Sequence, residues 1–234
     1  MSRDRRILMQ MLEESGALRR GHFLLSSGLH SDAYVQCALL LEDPVRARGV
    51  GHDLAEELHS FHPDSVLSPA LGGVIIGHEV AAGLGVPFRF TERKGEEMGL
   101  RRGFSLRQGE RVVVVEDVVT TGRSTLETAA LATARGARVV AIGAIIDRTS
   151  GRDPFDVPFR ALLELDLHAY TPAECPVCRA GGAPAEKPGS RPDAASAEKL
   201  APQTGEATSE GLPFETSPPG PLSSGAGEGE GKDS

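Results

Sequence analysis

Residues 112–125 read Val-Val-Val-Val-Glu-Asp-Val-Val-Thr-Thr-Gly-Arg-Ser-Thr, and they constrain the fold more than any other stretch. Four consecutive valines offer no polar face. A strand built from them must be covered on both sides, as strands are in a parallel sheet between helices. The strand ends in two adjacent carboxylates, Glu116 and Asp117, followed by small polar residues and then an amphipathic helix. Buried strand, acidic pair, hydroxyl-rich loop and helix together describe a phosphate site with a second polar task beside it.

The flanking pattern agrees. A helix is expected over about 3–17, with Ile7, Leu8, Met11 and Leu12 on one face. Two short strands over 21–36 surround a turn at Ser27-Gly28, and a second helix covers about 44–60. A strand at 65–68 leads through Gly72-Gly73 into a helix ending near Ala82, and another strand covers 87–90. Residues 91–109 read as a long polar loop. After the valine strand come a helix over 123–135, Gly136 as its C-terminal stop, a strand over 137–147 and a last strand over 160–167. Strands alternating with helices predict an α/β domain with a mostly parallel sheet flanked by helices.

The chain is long enough for one sizeable domain with its own core, over residues 1–182. From residue 183 the composition changes. Residues 183–234 hold 8 of the 16 prolines, one aromatic residue and a charge of -5 out of the total of -8. Such a Pro/Gly/Glu-rich tail buries too little to offset its ordering entropy and is expected to be disordered. A net negative charge argues against a nucleic-acid partner, because a phosphate backbone needs a basic face. No run of apolar residues is long enough to span a membrane, and no apolar signal core follows the charged N-terminus. A cytoplasmic protein is expected.

In open α/β sheets, ligands bind where strands end and helices begin. Thr120-Thr121-Gly122-Arg123-Ser124 lies at such a point. Glycine lets the backbone approach closely, and N–H groups near a helix N-terminus can ring a phosphate. Two neighbouring carboxylates repel each other unless hydroxyls or cations satisfy them. A sugar diol and a hydrated magnesium ion would do both, so phosphate loop plus acid pair describes a ribose 5-phosphate. Neither a nucleoside-triphosphate P-loop nor a dinucleotide Gly-x-Gly-x-x-Gly motif is present.

The stretch Val113 to Thr125 resembles the phosphoribosyl-diphosphate (PRPP) signature of type I phosphoribosyltransferases. Gly21-His22-Phe23-Leu24-Leu25-Ser26-Ser27-Gly28, with Ser31 and Tyr34, is similar to the hood segment of orotate phosphoribosyltransferases. Ser68-Pro69-Ala70-Leu71-Gly72-Gly73 resembles that family's pyrophosphate-side loop, and Arg148 falls where the family has an orotate-binding arginine. The ending Cys-Pro-Val-Cys with Lys-Pro-Gly-Ser-Arg is similar to a short bacterial form, and the resemblance covers about residues 15–191.

The resemblance implies the type I phosphoribosyltransferase fold, with a small N-terminal hood over about 1–50 and a core over about 51–167. It implies transfer of phosphoribose from PRPP to orotate, giving orotidine 5′-monophosphate and diphosphate with Mg²⁺, in a homodimer. It assigns PRPP to Glu116, Asp117, Val118, Val119, Thr120, Thr121, Gly122, Arg123, Ser124, Arg93 and Lys94, and orotate to Thr120, Arg148 and Tyr34. Lys94 and Asp117 are the expected catalytic residues. Magnesium would be held through the PRPP diphosphate and waters, with no direct protein ligand. Residues 91–109 would form a lid carrying Arg93, Lys94, Arg101 and Arg102.

The chain departs from longer family members at Ser26, at Leu71-Gly72, and at Glu97 and Gly99, where the family has lid lysine and histidine. Two alternatives stand beside the orotate reading: a transferase for another base, and a non-catalytic PRPP or nucleotide sensor. Cys175 and Cys178 make half of a tetrahedral metal site. They read as two reduced thiols, with a zinc site shared across a dimer, and joined by His168, as the alternative. His22 and His30 are assigned surface or structural roles, and Cys37 a place in the core.

Overall fold

The computed structural model describes residues 3–25 and 27–188. Helix α1 (Arg3–Glu14) leads into strands β1 (Leu18–Leu24) and β2 (His30–Val35). Short α2 (Cys37–Leu41) and long α3 (Pro44–His59) follow. The chain then alternates through β3 (Ser65–Pro69), α4 (Gly73–Leu84), β4 (Phe88–Lys94), β5 (Glu97–Leu100), β6 (Arg111–Val119), α5 (Arg123–Ala134), β7 (Arg138–Asp147) and β8 (Phe159–Glu164). Strand β9 (Ala169–Tyr170) and helix α6 (Pro176–Arg179) complete it.

The valine strand lies near the middle of a six-stranded sheet of order β5-β4-β3-β6-β7-β8. All pairings in it are parallel except β4 with β5. Val113 and Val115 enter a large cluster with Leu54, Leu58, Ile76 and Val80 from α3 and α4. Val112 enters a second cluster with Leu67 and Ala132 on the other face. Successive side chains of a strand point to opposite faces, so an unbroken apolar run is what a doubly covered strand requires. Helix α3 begins where Asp43 accepts hydrogen bonds from the N–H groups of Val45 (2.8 Å) and Arg46, with Pro44 in its first turn.

A second sheet, β1-β2-β9, is antiparallel throughout. This hood is not confined to residues 1–50. It takes β9 from the far end of the chain, and residues 183–188 run along β1. The N–H of Leu24 donates to the Glu186 carbonyl and that of Glu186 to the His22 carbonyl, both at 2.8 Å. The Glu186 carboxylate takes a two-pronged ion pair from Arg19 at 2.9 and 3.0 Å. The domain therefore continues past residue 182, where the composition changes. Residues 189–234, the rest of the expected tail, lie outside the described residues.

Several elements differ from the sequence expectation. Helix α1 is shorter, β1 begins three residues earlier than expected, and β8 is shifted to Phe159–Glu164. The expected loop 91–109 contains a hairpin. Thr91 to Lys94 pair with Leu100 to Glu97 across Gly95-Glu96, and Gly95 has φ 64°. A glycine with positive φ in a two-residue connection is a hairpin turn signal, outweighed in the sequence by the surrounding polarity.

One buried charge ties the sheet's lower edge together. Glu110 accepts hydrogen bonds from the Ser65 hydroxyl and Arg89, each at 2.6 Å, and from the Arg107 N–H at 2.7 Å. Burial raises its pKa, but the Ser65 hydroxyl, the Arg107 N–H and Arg89 outweigh it and lower the value to about 2. A depressed pKa contributes stability that is full above the ordinary glutamate value of 4.5 and disappears as pH falls through about 2. Glu110→Ala leaves Arg89 and Ser65 without their acceptor and is expected to cost about 3–5 kcal/mol near neutral pH. Urea unfolding at neutral and acidic pH checks this, and the difference from the parent must shrink in acid.

Candidate active site

The chain leaves β3 toward β4 on one side, while β6 lies on the other. Such a reversal of strand order opens a crevice at the C-terminal ends of the two strands. The loop after β3 contributes Gly72 and Gly73, and β6 contributes the acid pair. A Cβ at Gly72 would lie 2.6 Å from Asp117 Oδ1, and one at Gly73 would lie 2.8 Å from the Val115 carbonyl oxygen. A larger residue at either position would have to displace its neighbour, the Asp117 carboxylate or the Val115 backbone. This gives a physical reason for glycine at position 72.

The acid pair is electrostatically strained. Glu116 is buried at 6% exposure. Its pKa is pushed up to about 8, by burial first and then by the charge of Asp117 and a hydrogen bond with it. A hydrogen bond from the Ser124 hydroxyl to Glu116 (3.0 Å) opposes the rise. Asp117 Oδ1 accepts from the Val118 N–H at 2.9 Å. Among the described residues no lysine or arginine pairs with either carboxylate.

The phosphate loop lines a cavity of about 390 Å³, with Val118 to Thr125 on one side and Arg93, Gly95 and Glu96 on the other. Gly122 has φ 72°, and a Cβ there would meet Pro154 at 2.8 Å. Glycine is required on both counts. The N–H groups of Thr121 and Gly122 have no acceptor among the described residues. The Thr125 hydroxyl is buried without a partner. Arg93 and Arg123 both hold Glu127, an acid that the sequence reading did not single out, and together they lower its pKa. Its spacing of four from Arg123 on a helix was the available signal.

A larger cavity of about 940 Å³ adjoins the first, and Thr120 and Thr121 line both. Its walls include Leu25 and Leu29 from the hood turn and Arg148 from the end of β7. Arg148 Nε is buried without a partner, and burial depresses the guanidinium's pKa while nearby Tyr34 raises it. No carboxylate pairs with Arg148 among the described residues. An arginine in this state is set to receive an anion.

The fold thus brings the loop from Val118 to Ser124 together with Arg93 and sets Thr120 and Arg148 around the adjoining space. Glu116 and Asp117 line neither cavity, and Glu116 meets the loop through Ser124. Tyr34 stands beside Arg148 but does not line the cavity. Lys94 is exposed at the hairpin's end and lines neither cavity. Arg102 is also turned away. It pairs with Glu92 at 2.7 and 2.8 Å and lies over the Phe90 ring.

Residues 40–175 match the phosphoribosyl transferase domain family. The orotate phosphoribosyltransferase of Thermotoga maritima is 51% identical over 175 residues, which is 75% of this chain and 94% of that protein. The chain belongs to the orotate phosphoribosyltransferase family. A relative so named from Caldanaerobacter subterraneus is 43% identical over 174 residues, covering 74% of this chain and 92% of that one. Among solved structures, orotate phosphoribosyltransferase from Aeropyrum pernix aligns at 28% identity with a TM-score of 0.59. The alignment covers 68% of this chain and 93% of the archaeal one. Fold and family membership thus agree with the sequence resemblance.

The raised pKa of Glu116 has a consequence for stability. The folded chain keeps this proton to about pH 8, whereas an unfolded glutamate releases it near 4.5. Stability contributed by this group is therefore present at low pH and lost as pH rises through that window. Glu116→Gln removes the ionisation. Its melting temperature should exceed the parent's at about pH 9 and converge with it at about pH 5, as scanned by thermal unfolding without ligands.

Proposed function

We propose that this chain transfers the 5-phosphoribosyl group from PRPP to orotate, giving orotidine 5′-monophosphate and diphosphate in the synthesis of UMP. The observation that carries the reading is the pair of adjoining cavities meeting at Thr120-Thr121. The first is lined by Ser124, which bonds to Glu116 of an acid pair that has no cation among the described residues, and the second is walled by Arg148, whose buried Nε has no partner there. PRPP and orotate supply the missing partners on each side, and the named relatives accord with this assignment.

Each residue then has a task. The loop from Val118 to Ser124 holds the 5-phosphate through its N–H groups and hydroxyls. Glu116 and Asp117 accept hydrogen bonds from the ribose hydroxyls. As the bond from the anomeric carbon to diphosphate breaks, positive charge grows on the sugar ring, and the Asp117 carboxylate stabilises it. Arg148 fixes the orotate carboxylate with its planar fork, Tyr34 packs beside it, and Thr120 lies nearest the base. Holding both reactants in contact supplies much of the rate enhancement.

Mg²⁺ is part of this proposal. The crevice offers hard oxygen donors from the acid pair and backbone, the type that magnesium and its waters prefer. When bound, magnesium would supply positive charge for the departing diphosphate. The waters around it would meet Asp117, and Arg93 would approach the phosphates.

A homodimer completes the proposal. Lys94 faces solvent on its own chain, a position suited to reaching a neighbouring subunit's diphosphate. A cytoplasmic setting goes with water-soluble substrates; no helix among the described residues is long and apolar enough to cross a membrane.

The assay is loss of orotate absorbance with PRPP and Mg²⁺ present. Asp117→Asn should lower turnover by about 10²–10³-fold with the fold intact by circular dichroism. Arg148→Ala should raise the KM for orotate by about 10–100-fold and leave PRPP binding close to the parent's. Orotate persisting while a purine base is consumed would exclude the orotate assignment, and PRPP binding without turnover of any base would favour a sensor. Mixing inactive Lys94→Ala and Asp117→Asn chains should restore measurable turnover if the lysine acts across subunits; a mixture as inactive as its parts would place Lys94 outside that role.

A further inference from the structure

Away from the active site, four side chains from three parts of the chain converge. His22 lies on β1 and His30 on β2, while Cys175 and Cys178 flank the start and third position of α6. One ligand atom from each lies within 4.8 Å of all the others. His22 Nε2 is 2.8 Å from His30 Nδ1 and 3.4 Å from each sulphur, and Cys178 Sγ is 3.2 Å from His30 Nδ1. Tetrahedral zinc, with bonds of about 2.3 Å to sulphur and about 2.0 Å to nitrogen, sets neighbouring donors about 3.3–3.8 Å apart. The four separations given lie within about 0.5 Å of that spacing.

A second observation fixes the chemistry of one donor. His22 Nδ1 lies 2.7 Å from the carbonyl oxygen of Ala183. A carbonyl only accepts, so Nδ1 carries the hydrogen and Nε2 turns a bare lone pair into the cluster. A ligating histidine is oriented in this way by a backbone carbonyl on its other nitrogen. His168, the histidine nearest the cysteines in sequence, instead stacks on Tyr170 and stands near Asp166.

We propose that His22, His30, Cys175 and Cys178 form a structural zinc site within one chain. Two thiolates and two imidazoles are the donor set of a tetrahedral zinc centre. All four positions are filled by protein, which leaves none for a reacting water. The ion acts as a staple. It joins both hood strands to the C-terminal segment, where β9 meets β2 through only two residue pairs and Glu186 meets β1.

The test uses the full chain, produced with zinc in the medium and freed of loosely held metal by gel filtration. Elemental mass spectrometry should find about one zinc per chain, and Cys175→Ser/Cys178→Ser should retain none. Exchange of zinc for cobalt(II) should produce the intense visible bands of a tetrahedral ion and a thiolate charge-transfer band. Stripping the parent with a chelator should lower its melting temperature, and added zinc should restore it. If the double variant does not fold, Cys178→Ser serves, because that thiol is at the surface. Its charge-transfer band should fall by about half, as one thiolate of two is lost. Parent protein that retains no zinc and gives no tetrahedral cobalt spectrum overturns the proposal. So does zinc content unchanged in the double variant, or a charge-transfer band undiminished in Cys178→Ser.

Discussion

A carboxylate pair held at the end of a doubly buried strand is the constraint around which this molecule is arranged. Strand β6 is covered by α3 and α4 on one face and by α5 on the other, so Glu116 ends in a low-dielectric setting. The same burial that makes the strand a good core element makes its last residues poor hosts for charge. The neighbouring loop must then be glycine, since Gly72 and Gly73 lie against the carboxylates. What the fold leaves uncompensated is what a polyhydroxylated, metal-associated ligand compensates. Arg148 carries the complementary imbalance, a half-buried cation whose Nε has no partner among the described residues.

The strand, loop and helix around Glu116 to Thr125 were legible in the sequence because they are contiguous. Every residue from Glu116 to Thr125 carries its meaning in local order, and the strand-loop-helix geometry follows from that order. Arg148 and Tyr34 were legible only through family resemblance, since their proximity depends on β2 and β7 meeting in space. The hairpin around Gly95 was hidden by the polarity of its strands, of which β5 is the sheet's edge. Strand β9 is too short for any periodic signal. Residues 183–188 looked like tail because their composition is poor in apolar side chains, yet they attach through backbone hydrogen bonds and one ion pair. Composition does not report on backbone pairing.

The histidine and cysteine cluster marks the same limit more sharply. Cys-Pro-Val-Cys supplied two ligand atoms at close spacing, and the nearest histidine in sequence was His168. The fold selects others, 153 residues upstream of Cys175 at His22 and on the adjacent strand at His30. In the phosphate cavity, Glu127 holds Arg93 and Arg123 in place before any ligand arrives. A phosphate entering there exchanges one counter-anion for another rather than meeting free guanidinium groups.

The contact between β1 and Glu186 has a bearing on how the chain comes together. Strand β1 precedes the parallel core in chain order, and its outer neighbour, residues 183–188, follows it. Pairing over so long a separation is slow to form, because the ends of a large loop must meet first. The parallel core between them can assemble as soon as β7 is made, well before the hood can be finished. The antiparallel hood is therefore begun before the parallel core in chain order and closed only by residues that follow it.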